Sequence, residues 1–400
     1  MNTAIKHAVE RTVLTTSQAR RLPLVSSRPR IAVLHLMNAI ADSSITSIAV
    51  DQIKQFGDQD FEWHIGGLGG ADPAEPFTEL GANVVDFSER ASGPMQLASA
   101  VRAYVKQHHI GLVHTHTPRT TVIASLALGT RRSAKLVATK HLHAVSQERA
   151  TWGWLFKSVD RCAVYFPDQI IAVSNDVGEQ IRALPGVRSD RVQVIQNAVD
   201  IEAYDALAQR EGCRAEFEIP SESTLLGFAG RIAKQKRVDL LLEAFAEVSK
   251  RHPRVRLLIA GEGEESGQQQ AYASELGVDD RVIWAGHRRD MPRLLAAMDI
   301  YVQSSVNEGL SLSLLQAMAA RTPVVATDVG GTREVVSQET GLLIASGSSE
   351  PISRAILDVL EDPVGAARRV EKAWSLVNER FSVTKQMEQY RTVYERLCEV

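Results

Sequence analysis

Short apolar runs rich in β-branched residues alternate with longer stretches of helical period along almost the whole chain. In the first half, residues 31–36, 63–65, 83–85, 112–114, 135–139, 169–173 and 192–195 have the length and composition of strands. A second series follows at 225–229, 256–260, 282–284, 300–303, 324–327 and 342–344. Strands separated by helical segments predict parallel sheets covered by helices on both faces. The stretch after the first strand of the second series shows the helical period plainly. Val238, Leu241, Leu242, Phe245 and Val248 fall on one face at spacings of three and four. Between the two series lies the polar segment NAVDIEAYDALAQREGCRAEFEIPSES, which contains Pro220 and reads as an interdomain connection. The pattern therefore predicts an α/β protein of two doubly wound domains. We expect an N-terminal arm at 1–29, a first domain at 30–205, a second at 206–379, and a final helix within 380–400.

Length agrees with this division, since 400 residues exceed what one hydrophobic core usually organises. The largest cleft is then expected between the two domains. Charge narrows the function classes: 45 basic against 48 acidic side chains leave a formal charge of -3, with no basic surplus for binding nucleic acid. Cys162, Cys213 and Cys398 are far apart and form no CxxC pair, which suits a reducing compartment and speaks against zinc. No run of about eighteen apolar residues suggests a membrane span, and the first thirty residues lack the apolar core of a secretory signal. A cytoplasmic protein is expected. Lys6, Arg11, Arg20, Arg21, Arg28 and Arg30 against a lone Glu10 make the N-terminal segment basic. It reads as a flexible arm, with weak attachment to the inner face of an anionic membrane as the alternative.

In open α/β sheets ligands sit outside the carboxyl ends of the strands, so the loops there carry the candidate chemistry. In NEGLSLSLLQAMAARTPVV, Glu308 and Gly309 close such a loop and a helix begins at Leu310 or Ser311. Unpaired amides at a helix start attract a phosphate, and glycine lets a ligand approach the backbone. A glutamate beside an anion site makes sense if it accepts hydrogen bonds from sugar hydroxyls, and Gln316, two turns on, can reach another hydroxyl. The loop of LLGFAGRIAKQKRVDLLLEAF ends a strand at Gly230 and places Arg231 and Lys236 before the next helix. Two cations there can clamp a pyrophosphate and stabilise its charge as it leaves, without a metal. In WAGHRRDMP, His287 and Arg288 are candidates to meet a nucleotide base, a plain surface loop being equally compatible with the residues.

These segments, with LLIAGEGEE and TGLLIASG, resemble in order and spacing the retaining GT-B glycosyltransferases of family four. LVHTHTPRT, KLVATKH, QIIAVSNDVGEQIR and VQVIQNAVDIEAY are similar to the N-terminal domain of the same family, so the resemblance spans about residues 30–396. It implies two Rossmann-like domains, with the final helix at 380–400 packing back on the first, and transfer of a hexose or N-acetylhexosamine from a UDP- or GDP-sugar to a hydroxyl of a glycan or lipid-linked acceptor, with retained anomeric configuration. The nucleotide-sugar is then a substrate, and neither cofactor nor metal is expected. By the family pattern Arg231 and Lys236 hold the pyrophosphate, and Glu308 is the first glutamate of an E-x7-E motif that meets the donor sugar. Gly309, Leu310 and Ser311 offer backbone to sugar and phosphate, and His141 meets the sugar from the N-terminal side. Three positions depart from the pattern. Gln316 stands where the second glutamate holds the ribose; Asn38, Ser43 and Ser44 replace a Gly-Gly turn on the acceptor side; Ala198 replaces a glycine. The only Asp-x-Asp, at 58–60, reads as a polar turn. A nucleotide-sugar epimerase, a phosphorylase, or a non-catalytic partner of another transferase on the same scaffold are the alternatives.

Overall fold

The computed structural model describes residues 30–40, 44–57, 59–70, 74–89, 91, 93–130, 132–141, 162–204 and 209–399. The N-terminal arm, Ser43, Asp58 and the expected domain boundary at 205/206 lie outside these.

Each strand series forms one parallel sheet. The first contains β1 (Ile31–Met37), β2 (Phe61–Gly67), β3 (Asn83–Asp86), β4 (Leu112–Thr115), β5 (Lys135–Lys140), β6 (Gln169–Ala172) and β7 (Val192–Val194). Their order across the sheet is β3-β2-β1-β4-β5-β6-β7. The second contains β8 (Thr224–Ala229), β9 (Val255–Ala260), β10 (Val282–Gly286), β11 (Ile300–Gln303), β12 (Val324–Thr327) and β13 (Leu342–Ile344), in the order β10-β9-β8-β11-β12-β13. Strand order thus reverses once in each sheet, between β1 and β4 and between β8 and β11. Crossovers leave these points toward opposite faces and open a crevice at the strand ends.

Burial explains why these segments became strands. β1, β4, β6, β11 and β12 are buried along their whole length, as parallel strands covered on both faces must be. The Val238–Arg251 helix buries Val238, Leu241, Leu242, Phe245 and Val248 against the second sheet, on the face its sequence marks. The chain crosses between the sheets after β7 and returns at Phe381. There the Val199 amide donates to the Phe381 carbonyl at 2.9 Å, and Val199 bridges to Ser382. Beyond this point the Val383–Cys398 helix packs Met387, Tyr390, Val393 and Tyr394 into the core of the first domain, beside Phe61, Trp63 and Ile53. Among the described residues no helix is long and apolar enough to cross a membrane.

Candidate active site

The loops at the carboxyl ends of the two sheets meet each other. Gly309, after β11, lies so close to the first domain that an added Cβ would stand 2.1 Å from the His141 carbonyl oxygen and 2.8 Å from Val173 Cγ2. Gly331 would likewise place a Cβ 2.8 Å from that of Ser174. Sequence reasoning gave Gly309 to a ligand; the near neighbour is the backbone of the other domain. Asn197 donates to the Leu310 carbonyl at 2.6 Å. Glu334 accepts from Asn175 at 2.8 Å and from the Asp176 amide at 3.1 Å, at the start of the Asn175–Arg182 helix, where the dipole favours a carboxylate. Gln196 donates to the same carboxylate at 2.5 Å.

At the β8/β11 reversal the loops are locked together. Val306 donates its amide to Gln235 at 2.8 Å, and the Ser304 hydroxyl donates to the Lys236 carbonyl at 2.7 Å. Lys236 then folds inward and places Nζ 2.6 Å from Glu308 Oε1, which also accepts from the Ser305 hydroxyl at 2.6 Å. Both side chains are sheltered, at 15% and 5% exposure. This resolves the oddity of a carboxylate at an anion site, because Lys236 neutralises Glu308 and leaves Oε2 without a partner among the described residues. Arg231, by contrast, is exposed and enters no ion pair among the described residues. Gly230, at φ +151, starts this loop, and its carbonyl would stand 1.9 Å from a Cβ on Gly261. The β8 and β9 loops are therefore pressed backbone to backbone, and Arg231 projects from a rigid support.

Ser311 caps the Leu312–Ala319 helix, its hydroxyl accepting from the Leu314 amide at 3.3 Å. One helix-start amide is thus satisfied within the chain. Gln316 lies half-buried against the Tyr204 hydroxyl, whose pKa burial pushes up, with Asp200 adding to the rise. His287 is exposed, with its amide 3.4 Å from Glu262. Arg288 is tied to Asp290 at 2.7 Å and Glu216 at 3.0 Å, and its guanidinium lies over Phe217. Its guanidinium braces the Arg210–Glu216 helix against the start of the Met291–Ala297 helix. On the acceptor side Asn38 accepts from Thr117 at 3.1 Å, joining the loops after β1 and β4 at the reversal of the first sheet.

His141 ends β5 on the same rim as Gly309. Burial, with Lys140 adding to the effect, lowers its pKa to about 4, so the ring is neutral near pH 7. Its Nε2 lies 3.5 Å from Nδ1 of His116, which with His35, His64 and His114 makes four buried histidines among the described residues that sequence reasoning passed over. The signal was present in LVHTHTPRT, where the two-residue spacing of His114 and His116 puts both on one side of an extended chain. Register then sets His35 of β1 directly beside His114 of β4. Glu334 and Asn197 carried no comparable local signal.

Two doubly wound domains whose strand-end loops face each other, with Arg231, Lys236 and Glu308 gathered on one rim, define the class of fold. The model described as glycosyl transferases group 1 matches residues 209–375, and glycosyltransferase family 4 matches residues 47–203. A D-inositol 3-phosphate glycosyltransferase of Saccharomonospora viridis is 31% identical over 320 residues, covering 73% of this chain and 71% of the relative. A lipopolysaccharide core biosynthesis mannosyltransferase of Rhizobium leguminosarum bv. viciae, LpcC, is 31% identical over 212 residues, 51% of this chain and 59% of that protein. The crystal structure of Anabaena HepE in complex with UDP-glucose superposes with a TM-score of 0.78 at 22% identity, over 92% of this chain and all of that one. The chain belongs to the group 1, family 4 glycosyltransferases of GT-B fold.

Proposed function

We propose that this glycosyltransferase moves a hexose or N-acetylhexosamine from a UDP- or GDP-sugar to a hydroxyl of a glycan or lipid-linked acceptor, with retention at the anomeric carbon. The observation that carries the reading is the pairing of Lys236 with Glu308 at the β8/β11 reversal, with Arg231 left free beside it. In this reading Arg231 and the amides at Gly309–Ser311 stabilise the departing diphosphate, so the positive charge comes from the chain and no metal is required. Glu308, its charge balanced by Lys236, accepts hydrogen bonds from the sugar hydroxyls through Oε2. His141 meets the sugar from the first domain. The acceptor hydroxyl attacks from the face that the leaving group vacates, and a phosphate oxygen takes its proton. Gln316, turned to Tyr204, gives the ribose a weaker grip than a carboxylate would. Support for surface glycan biosynthesis is the likeness to LpcC, and support for a UDP-linked donor is the fold shared with HepE.

The test is incubation with a panel of UDP- and GDP-sugars and hydroxyl acceptors, with products read by NMR for the new anomeric linkage. An axial linkage made from an axial donor is expected. An inverted linkage, an epimerised free nucleotide-sugar, or binding without turnover across the panel would each overturn the reading.

A further inference from the structure

The interior of the first domain holds a set of polar groups for which the proposed transfer chemistry alone gives no use. His35, His114 and His116 are fully or almost fully buried, and one nitrogen of each lies within 4.8 Å of the others. That spacing suits a metal, but the ring geometry does not. His35 Nδ1 and His116 Nε2 are 3.0 Å apart, while the ring centroids are 5.3 Å apart and the planes differ by only 16°. The excess of the second distance over the first is about two ring radii, so the nitrogens lie on the line between the rings. Each lone-pair direction points at the other nitrogen, which describes an N–H···N hydrogen bond and not two lone pairs converging on a third atom.

Such a bond ties the protonation of one ring to that of the next, because in a neutral imidazole one nitrogen donates and the other accepts. The tie extends in both directions. Outward, His116 Nδ1 faces His141 Nε2 at 3.5 Å. Inward, His35 Nε2 and Gln52 Nε2 are each sealed from solvent without a hydrogen-bond partner among the described residues, the two side chains being neighbours. Gln52 Oε1 accepts from the Tyr394 hydroxyl at 3.0 Å; that hydroxyl lies 2.5 Å from His114 Nδ1, and His114 Nε2 lies 2.7 Å from the Thr139 hydroxyl. The nearby Tyr390 hydroxyl is buried without a hydrogen-bond partner among the described residues.

The three rings from His35 to His141 admit two proton arrangements, and they run in opposite directions. With the protons pointing outward, His35 Nδ1–H donates to His116 Nε2 and His116 Nδ1–H to His141 Nε2. The only group left short is the acceptor lone pair on His35 Nε2. Run inward, the chain strands the His35 Nε2–H in a dry interior, and an orphaned donor costs more than an under-used acceptor. We propose that this one-way hydrogen-bond chain holds His141 as the neutral Nδ1–H tautomer, a fixed donor offered from the end of β5 to a ligand hydroxyl in the interdomain cleft, with its origin at the sealed His35 Nε2 of β1. The charged and titratable groups around the chain are Lys140, beside His141, the His114 ring and the three rings of the chain, the rings all held neutral by burial. His35 and His116 act through His141 and are positioning residues. That the hydroxyl belongs to a donor sugar rests on the function proposed above; the tautomer does not.

The experiment is a long-range proton–nitrogen correlation spectrum of the full chain labelled with ¹⁵N-histidine, with exposed His287 as internal reference. Nδ1–H is expected for His35, His116 and His141, against the Nε2–H form that free imidazole side chains favour in water. In Gln52→Glu the near-isosteric carboxylate only accepts, so the outer chain should reverse and His141 should become Nε2–H; kcat/KM for donor should fall roughly tenfold. In His116→Phe, His141 should revert to the tautomer of a free side chain. Nε2–H on wild-type His141, an unmoved His141 signal in folded Gln52→Glu, or stoichiometric zinc in the purified protein would overturn the proposal. The expected tautomers without transfer from any nucleotide-sugar would leave the chain standing and remove the enzyme reading.

Discussion

Arg231 and Lys236 stand five positions apart on one loop, but their surroundings assign them different work. Lys236 is sheltered and paired, so its removal leaves Glu308 as a buried charge without a counter-ion, and such losses cost about 3 kcal/mol or more. Lys236→Ala should therefore lower the urea midpoint clearly and abolish transfer at the same time. Arg231 is exposed and supports nothing within the described fold. Arg231→Ala should leave stability within about 0.5 kcal/mol of the parent, yet reduce kcat on the order of a hundredfold if it steadies the leaving diphosphate. Equal stability losses in the two variants would contradict this division. The sequence displayed both cations and the glutamate, because their types and loop positions are local facts. It concealed that one cation is consumed by the glutamate, since that depends on how the β8 and β11 loops come together.

Elements show the same limit. All thirteen strands among the described residues were legible as apolar, β-branched runs, because a strand covered on both faces must be apolar along its length. The start of the Leu312–Ala319 helix was legible to within a residue or two from Glu308, Gly309 and Ser311. The domain contact at Gly309 was not legible for a physical reason: a glycine announces that something approaches its backbone without saying what. The structure supplies the neighbour, the carbonyl of His141. Gly309→Ala should consequently push the two domains apart, with a stability loss of about 1 to 3 kcal/mol in urea unfolding and a larger radius of gyration in solution scattering. An unchanged radius and full activity would show that the contact does not hold the cleft. The histidine chain was only partly legible, because His114 and His116 share one segment while His35 and His141 reach His116 only through tertiary register.

The whole molecule should report its buried imidazoles through acid sensitivity. Burial lowers the pKa of His35 to about 3 and of His141 to about 4, and holds His114 and His116 well below the ordinary value. Between the unfolded value near 6.5 and these folded values the unfolded chain binds more protons, so stability is fully present above about pH 6.5 and is lost as pH falls toward 4. Asp51, raised to about 6 mainly by burial, works in the opposite sense but is a single group against these four and His64, which burial also lowers. Melting temperature should fall progressively from pH 6.5 to pH 4.5, and a flat profile would mean that the rings are charged or exposed. The paired strand at Val199 and Ser382 has a last consequence. With the two crossings of the chain between its halves tied to each other there, the molecule resembles a cover with a stitched spine, and a swing about that line is the motion we expect. Anything that occupies either half and touches the other must draw on that single swing, so the affinities for the two substrates should be thermodynamically linked, each strengthening the other by the same factor.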